Sequence, residues 1–181
     1  MNLVNCTLLN KSDKEGLEHL FRSVFTSSEG EEEGKRIGQL ASNLAAKIDN
    51  EEVICFGACE EEVLIGSIFF TRLRFDVSIR VYLLAPVAVS NEHQGKGVGQ
   101  ALIKSALSDL RNRGVAAVVT YGDLSFYSKT GFHRISESVI QAPVALSMPE
   151  GWLAQSLTDE PVPIISKRPA CVQEFHDPVY W

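Results

Sequence analysis

Apolar positions recur along this chain in two rhythms. Leu17, Leu20, Phe21, Val24 and Phe25 fall at the spacing of one buried helical face, and Ile37, Leu40, Ala41, Leu44, Ala45 and Ile48 repeat it. The spacing predicts two helices joined by a polar connector, Thr26 to Gly34, that carries Glu29, Glu31, Glu32 and Glu33. Ser12-Asp13-Lys14-Glu15 reads as a capping box for the first helix, and residues 3–9 read as a strand before it. The rhythm then shortens. Val53 to Cys59, Val63 to Phe75 and Arg80 to Val89 are rich in β-branched and aromatic residues, with Gly66 a bulge candidate. Pro86 lacks the amide that a ladder needs and predicts an irregularity in the third of these strands.

A third helix is expected to run from Val98 to Arg113, with Val98, Ala101, Leu102, Ala106 and Leu110 inward and Gly114 as its stop. A strand over Val115 to Tyr121, a short helix over Ser125 to Thr130 ended by Gly131, and strands over Phe132 to Ile140 and Val144 to Met148 complete the pattern. The order predicts a mixed α/β (α+β) fold whose central sheet is mostly antiparallel and flanked by helices. It is expected to occupy residues 1–148, with a Pro-rich irregular extension over 149–181 packed on the same domain.

Composition narrows the function. At 181 residues and 45% hydrophobic content the chain is long enough for one well-buried core. With 23 acidic against 17 basic residues, the net charge of -6 speaks against nucleic acid held by a general basic surface. No apolar run approaches the ~20 residues of a membrane span, and Met1 to Cys6 lack the regions of a signal peptide, so a cytoplasmic location without membrane contact is expected. Cys6, Cys55, Cys59 and Cys171 are as scattered as the four histidines, so no metal site is expected.

The chemistry concentrates at Gln94-Gly95-Lys96-Gly97-Val98-Gly99, between a strand and a helix. A helix start offers unpaired amides and the positive end of its dipole, and glycines let a phosphate approach the backbone. A Walker loop is excluded because Lys96 precedes the second glycine and no Ser or Thr follows. A dinucleotide fingerprint is excluded by the glycine spacing.

The hexapeptide instead resembles the coenzyme A loop of the GNAT superfamily of N-acetyltransferases. Phe126-Tyr127-Ser128-Lys129-Thr130-Gly131-Phe132 is similar to the segment this superfamily carries one strand downstream. Gly122-Asp123-Leu124-Ser125-Phe126-Tyr127 resembles a poorly characterised bacterial branch of it. The resemblance covers residues 3–148 and implies a GNAT-like acyl-CoA N-acyltransferase fold.

It further implies acetyl-CoA as co-substrate, with no metal, and an amine acceptor that is a small molecule or a peptide. Amides of Gly95, Lys96, Gly97, Val98, Gly99 and Gln100 would bind the pyrophosphate, with Gln94 beginning the turn and Lys96 adding charge. Val87 and Val89 would pair with the pantetheine arm as with a strand. Tyr127 would be the general acid, because a phenol of ordinary pKa ~10 can protonate a departing thiolate whose thiol has pKa ~8.5. The carboxylate base that the superfamily often keeps on the strand before the loop is missing from Leu83 to Val89. Glu29, Glu31, Glu32, Glu33 and Asp123 are the alternatives. A non-catalytic acyl-CoA sensor and an enzyme using another acyl-CoA are the rival readings, and the assembly is expected to be a monomer or homodimer.

Overall fold

A computed structural model describes residues 4–181. In chain order its elements are β1 (Asn5–Leu8), α1 (Lys14–Glu29), α2 (Glu31–Ala45), β2 (Val53–Glu60), β3 (Val63–Leu73), β4 (Val81–Val89) and α3 (Val98–Asn112). They continue with β5 (Ala117–Tyr121), α4 (Leu124–Tyr127), β6 (His133–Arg134) and β7 (Trp152–Ser156). Among the described residues, seven strands hydrogen-bond in the order β1-β2-β3-β4-β5-β7-β6, a mixed, mostly antiparallel sheet flanked by helices. Leu3, part of the expected first strand, lies outside the described residues.

Two compact units divide these elements. The first contains the chain up to Phe70 together with Pro86–Ala106. Its core is the inner face of α1 and α2, with Leu17, Leu20, Phe21, Leu40 and Leu44 buried as their spacing predicts. Phe21 meets Phe69 of β3 at 5.7 Å, and Phe56 meets Phe70 edge-on at 5.9 Å.

The expected connector over Thr26 to Gly34 is corrected to a single residue. α1 runs to Glu29 and α2 begins at Glu31, with Gly30 turning the chain at φ +101. The charge run that looked like a loop is the first turn of α2, where Glu31, Glu32 and Glu33 complement the helix dipole. The tight turn is possible because the two helices meet along Gly34 and Gly38. A Cβ on Gly34 would stand 1.8 Å from Thr26 Oγ1, and one on Gly38 would stand 2.8 Å from Arg22 Cβ. The capping box also moves: Asn10 Oδ1 accepts from Ser12 N at 2.8 Å, while Asp13 Oδ2 accepts from Asn10 N at 2.8 Å.

The second unit contains Thr71–Ala85 and Leu107–Trp181. Here β5 pairs in parallel with β4, from Val81↔Ala117 to Leu84↔Thr120, and antiparallel with β7 on its other side. β6 adds outside β7. The expected strand over Phe132 to Ile140 shrinks to the two residues of β6 and one bridge between Ile140 and Ile165. The expected strand over Val144 to Met148 is absent, and the segment expected to be irregular after residue 148 supplies β7 instead. Trp152, Leu153 and Ala154 are all buried, so this strand lacks the alternation by which a half-exposed strand is recognised. Trp181 closes the core of this unit, stacked on Tyr121 at 6.1 Å and edge-on to Trp152 at 6.1 Å.

Among the described residues no helix is long and apolar enough to cross a membrane. No three of their His, Cys, Asp and Glu side chains are grouped so as to hold a metal ion.

Candidate functional site

The strand ahead of the glycine loop changes its backbone phase. The carbonyls of Arg80 and Leu84 face β5, accepting from Ala116 N at 2.8 Å and from Thr120 Oγ1 at 2.7 Å. Amide and carbonyl groups alternate sides along a regular strand, so every even-numbered residue of β4 should face β5. Yet Ser90 N donates to Ile65 O of β3 at 2.8 Å. One residue between Leu84 and Ser90 is therefore out of phase, as at a β-bulge, and Pro86 sits in that interval. With the shift at Pro86, the backbone groups of Val87 and Val89 face away from β3, in a part of β4 that extends past its register with β5. The carbonyl of Val89 accepts from Gln94 Nε2 at 2.9 Å.

A short 3-10 turn over Asn91–His93 then leads into the loop. Gly95 and Gly97 have φ values of +73 and +81, conformations that favour glycine. A Cβ added at either would find nothing within 4 Å, so open space lies over the backbone there. Gly97 O accepts the helical hydrogen bond of Ala101 N at 3.0 Å. The amides of Val98, Gly99 and Gln100 thus belong to the first turn of α3, where no preceding helical carbonyl can take them. Gln94, Gly95, Lys96 and Gly97 are exposed, whereas Val98 and Gly99 are buried under the helix start. Gly66 makes room for the helix start, since its Cβ would stand 3.2 Å from Val98 Cγ1. A cavity of about 180 Å³ borders the loop, with Cys59, Glu60, Ile65, His93, Lys96 and Val98 in its wall.

Tyr127 lies in the second unit, on the last residue of α4. Asp123 caps this short helix by accepting from Ser125 N at 2.9 Å and from Ser125 Oγ at 2.7 Å. The Tyr127 ring is fixed edge-on against Phe126 at 5.0 Å and Phe132 at 5.7 Å. Gly122 makes room for it, since a Cβ there would stand 2.9 Å from Tyr127 Cε2. Part of the residue reaches solvent, but burial of the hydroxyl raises its pKa above that of an ordinary phenol. Thr120 beside it works the other way and offsets part of that rise. The Thr120 hydroxyl itself donates to Leu84 O at 2.7 Å. The phenol stays protonated at neutral pH.

Three of the five carboxylates considered as bases are otherwise engaged. Glu31 pairs with Lys35 at 3.0 Å, and that hydrogen bond holds its carboxyl below the usual range. Glu33 pairs with Arg36. Asp123 is likewise held low, chiefly by the Ser125 hydroxyl that it caps. No nucleophile replaces them at Cys55, whose thiol is pushed up to about 12 by burial.

The structure brings Val87, Val89 and the residues from Gln94 to Gln100 together in the first unit and sets Tyr127 beside Thr120 in the second. Two features escaped the sequence. Thr120 has one signal, a small hydroxyl residue that follows three apolar ones in the strand. The Ser90–His93–Glu60 contacts have none, since Glu60 is 33 residues from His93 along the chain.

The chain is similar to known proteins. The family model described as "Acetyltransferase (GNAT) family" matches residues 14–132. The uncharacterized N-acetyltransferase YjhQ of Escherichia coli is 34% identical over 105 residues, which span 54% of this chain and 58% of that protein. The uncharacterized N-acetyltransferase YhbS of the same organism is 30% identical over 126 residues, spanning 66% of this chain and 68% of it. The crystal structure of YhbS in complex with CoA superimposes with a TM-score of 0.82 at 22% identity, covering 96% of this chain and 92% of that one. A GNAT family acetyltransferase from Brucella melitensis in complex with acetyl-CoA gives 0.72 at 20% identity, covering 97% and 99%.

Proposed function

Since the chain belongs to the acetyltransferase (GNAT) family, we propose that it is an N-acetyltransferase that moves the acetyl group of acetyl-CoA to an amine by direct attack. The observation that carries the reading is the glycine loop. Two left-handed glycines with open space above them lead into the unpaired first turn of a 15-residue helix. That is a cradle for a diphosphate, where amide donors and the helix dipole act on the same anion.

In this reading the amides from Gly95 to Gln100 hold the pyrophosphate, and exposed Lys96 adds a positive charge. Gln94 does its work on the protein side, tying the turn to the Val89 carbonyl. The Val87 and Val89 backbone, turned away from β3 by the phase shift, pairs with the pantetheine arm. Backbone donors near Val89 polarise the thioester carbonyl. Tyr127 gives its proton to the departing sulfur, while the attacking nitrogen sheds its proton to water and water returns one to the phenolate. The donor role is supported by a buried phenol that stays protonated at neutral pH. Catalysis rests on holding amine and thioester in line, and the chain needs no metal for it.

Calorimetric titration of the purified protein with acetyl-CoA, with CoA and ATP as controls, tests the assignment. Saturable binding of acetyl-CoA and CoA but not ATP supports it, and amine acceptors can then be screened by thiol release. No binding by folded protein rejects it. Binding without turnover on any amine would favour a sensor of acyl-CoA.

A further inference from the structure

The glycine loop does not hold itself in place. Gly95 and Gly97 make no side-chain contacts, and glycines at positive φ lose more conformational freedom on ordering than any other residue. The residues just ahead of them supply the anchoring. Asn91 Nδ2 donates to Ser27 Oγ of α1 at 2.8 Å, and Gln94 Nε2 donates to Val89 O of β4 at 2.9 Å. Between them His93 bridges the ends of two strands. Its Nδ1 lies 2.6 Å from Ser90 Oγ at the end of β4, and its Nε2 lies 2.9 Å from Glu60 Oε2 at the end of β2. The side chain is 19% exposed and forms part of the wall of the cavity that Lys96 also lines.

We propose that His93 is a positioning residue for the acyl-CoA phosphate site, fixing the glycine loop against β2 and β4. The inference rests on the acyl-CoA reading of that loop. Imidazole suits the task because its two ring nitrogens point in divergent directions and each can serve in either protonation state. In the neutral ring Nε2–H donates to Glu60 and Nδ1 accepts from the Ser90 hydroxyl. In the charged ring both nitrogens donate, and the Ser90 hydroxyl turns to accept. Both anchors therefore hold in either form of the ring. A diphosphate bound there meets amides already in position, so binding does not have to order the loop.

The test compares CoA titration, steady-state kinetics and thermal melting for wild type, His93→Ala and His93→Gln. The Gln amide nitrogen can stand where Nε2 stands and keep the Glu60 contact. The expected result is CoA binding weakened about tenfold in His93→Ala, equivalent to ~1.4 kcal/mol. KM for acetyl-CoA should rise with it while kcat is unchanged, and His93→Gln should recover part of the affinity. If wild type binds CoA and His93→Ala binds it equally well, the positioning role is overturned and the acyl-CoA reading stands. If His93→Gln restores the melting temperature but none of the affinity, the affinity does not follow from anchoring the loop and the proposal fails. If folded wild type does not bind CoA, the functional reading itself falls.

Discussion

The Thr120 hydroxyl donates to the carbonyl of Leu84 at 2.7 Å, across the parallel pair of β5 and β4. Its one proton is spent there. Tyr127 lies beside Thr120, and burial raises the pKa of its phenol above the ordinary value, with Thr120 offsetting part of the rise. A phenol buried in this way keeps its proton at neutral pH and has it to give.

Tyr127→Phe should lower kcat by about 100-fold, the lower end of the range for general acid catalysis, without weakening acetyl-CoA binding. Thiol release and calorimetry measure the two quantities, and an unchanged kcat removes the proton-donor role. The same role has a pH signature. Burial raises the phenol pKa, and the acid form is lost as pH rises through it, so the alkaline limb due to Tyr127 should lie above ~10. That limb should vanish in the Phe variant.

Thr120→Val removes the donor to Leu84 and the hydroxyl beside Tyr127 together. The site is fully buried, so an unsatisfied carbonyl should cost about 1–3 kcal/mol in urea unfolding. The kcat should fall less than in Tyr127→Phe because the acid itself remains. Thr120→Ser, which keeps the hydroxyl, should recover both; failure to recover kcat would dissociate Thr120 from the phenol.

Gly97→Val acts through the backbone alone, since no neighbour lies within 4 Å of the added Cβ. At φ +81 a side chain costs about 1–2 kcal/mol, which the loop can relieve only by leaving its present shape. CoA affinity should drop, with the melting temperature little changed. Retained affinity would reject the phosphate-loop assignment.

Gly34→Ala should destabilise the protein by about 1–3 kcal/mol, as overpacking does, because its Cβ would meet Thr26 Oγ1 at 1.8 Å and Arg22 O at 2.8 Å. Gly16→Ala in the same helix pair is the control. It meets nothing within 4 Å and should stabilise by about 0.5–1 kcal/mol through helix propensity. Equal melting temperatures for the two variants would contradict the close approach of α1 and α2.

The parts of this fold that read clearly from sequence are those with a period. α1, α2 and α3 bury the faces that their spacing marked, and the glycines after β4 lie in a loop before a helix, as their pattern implied. Acidic residues misled at the α1–α2 turn because Glu31, Glu32 and Glu33 suit a solvated loop and a helix N-terminus equally. β7 was missed because a strand buried on both faces shows no alternation and because Pro149 and Gly151 flank it. Pro86 announced an irregularity, but its consequence, which edge of β4 each amide faces, depends on pairing with strands far along the chain. The same holds for His93: its turn was legible, its partner at residue 60 was not.

The interior place of β7 sets an order on assembly during translation. β5 leaves the ribosome some 30 residues before Trp152–Ser156, yet it needs that strand on one flank, and β6 has no place in the sheet until the same strand exists. In the interval the nascent chain carries an unpaired, strongly apolar Ala117–Tyr121 edge, the kind of surface on which chains join wrongly. A chain stalled before residue 152 can complete the helical pair of the first unit but not the sheet of the second.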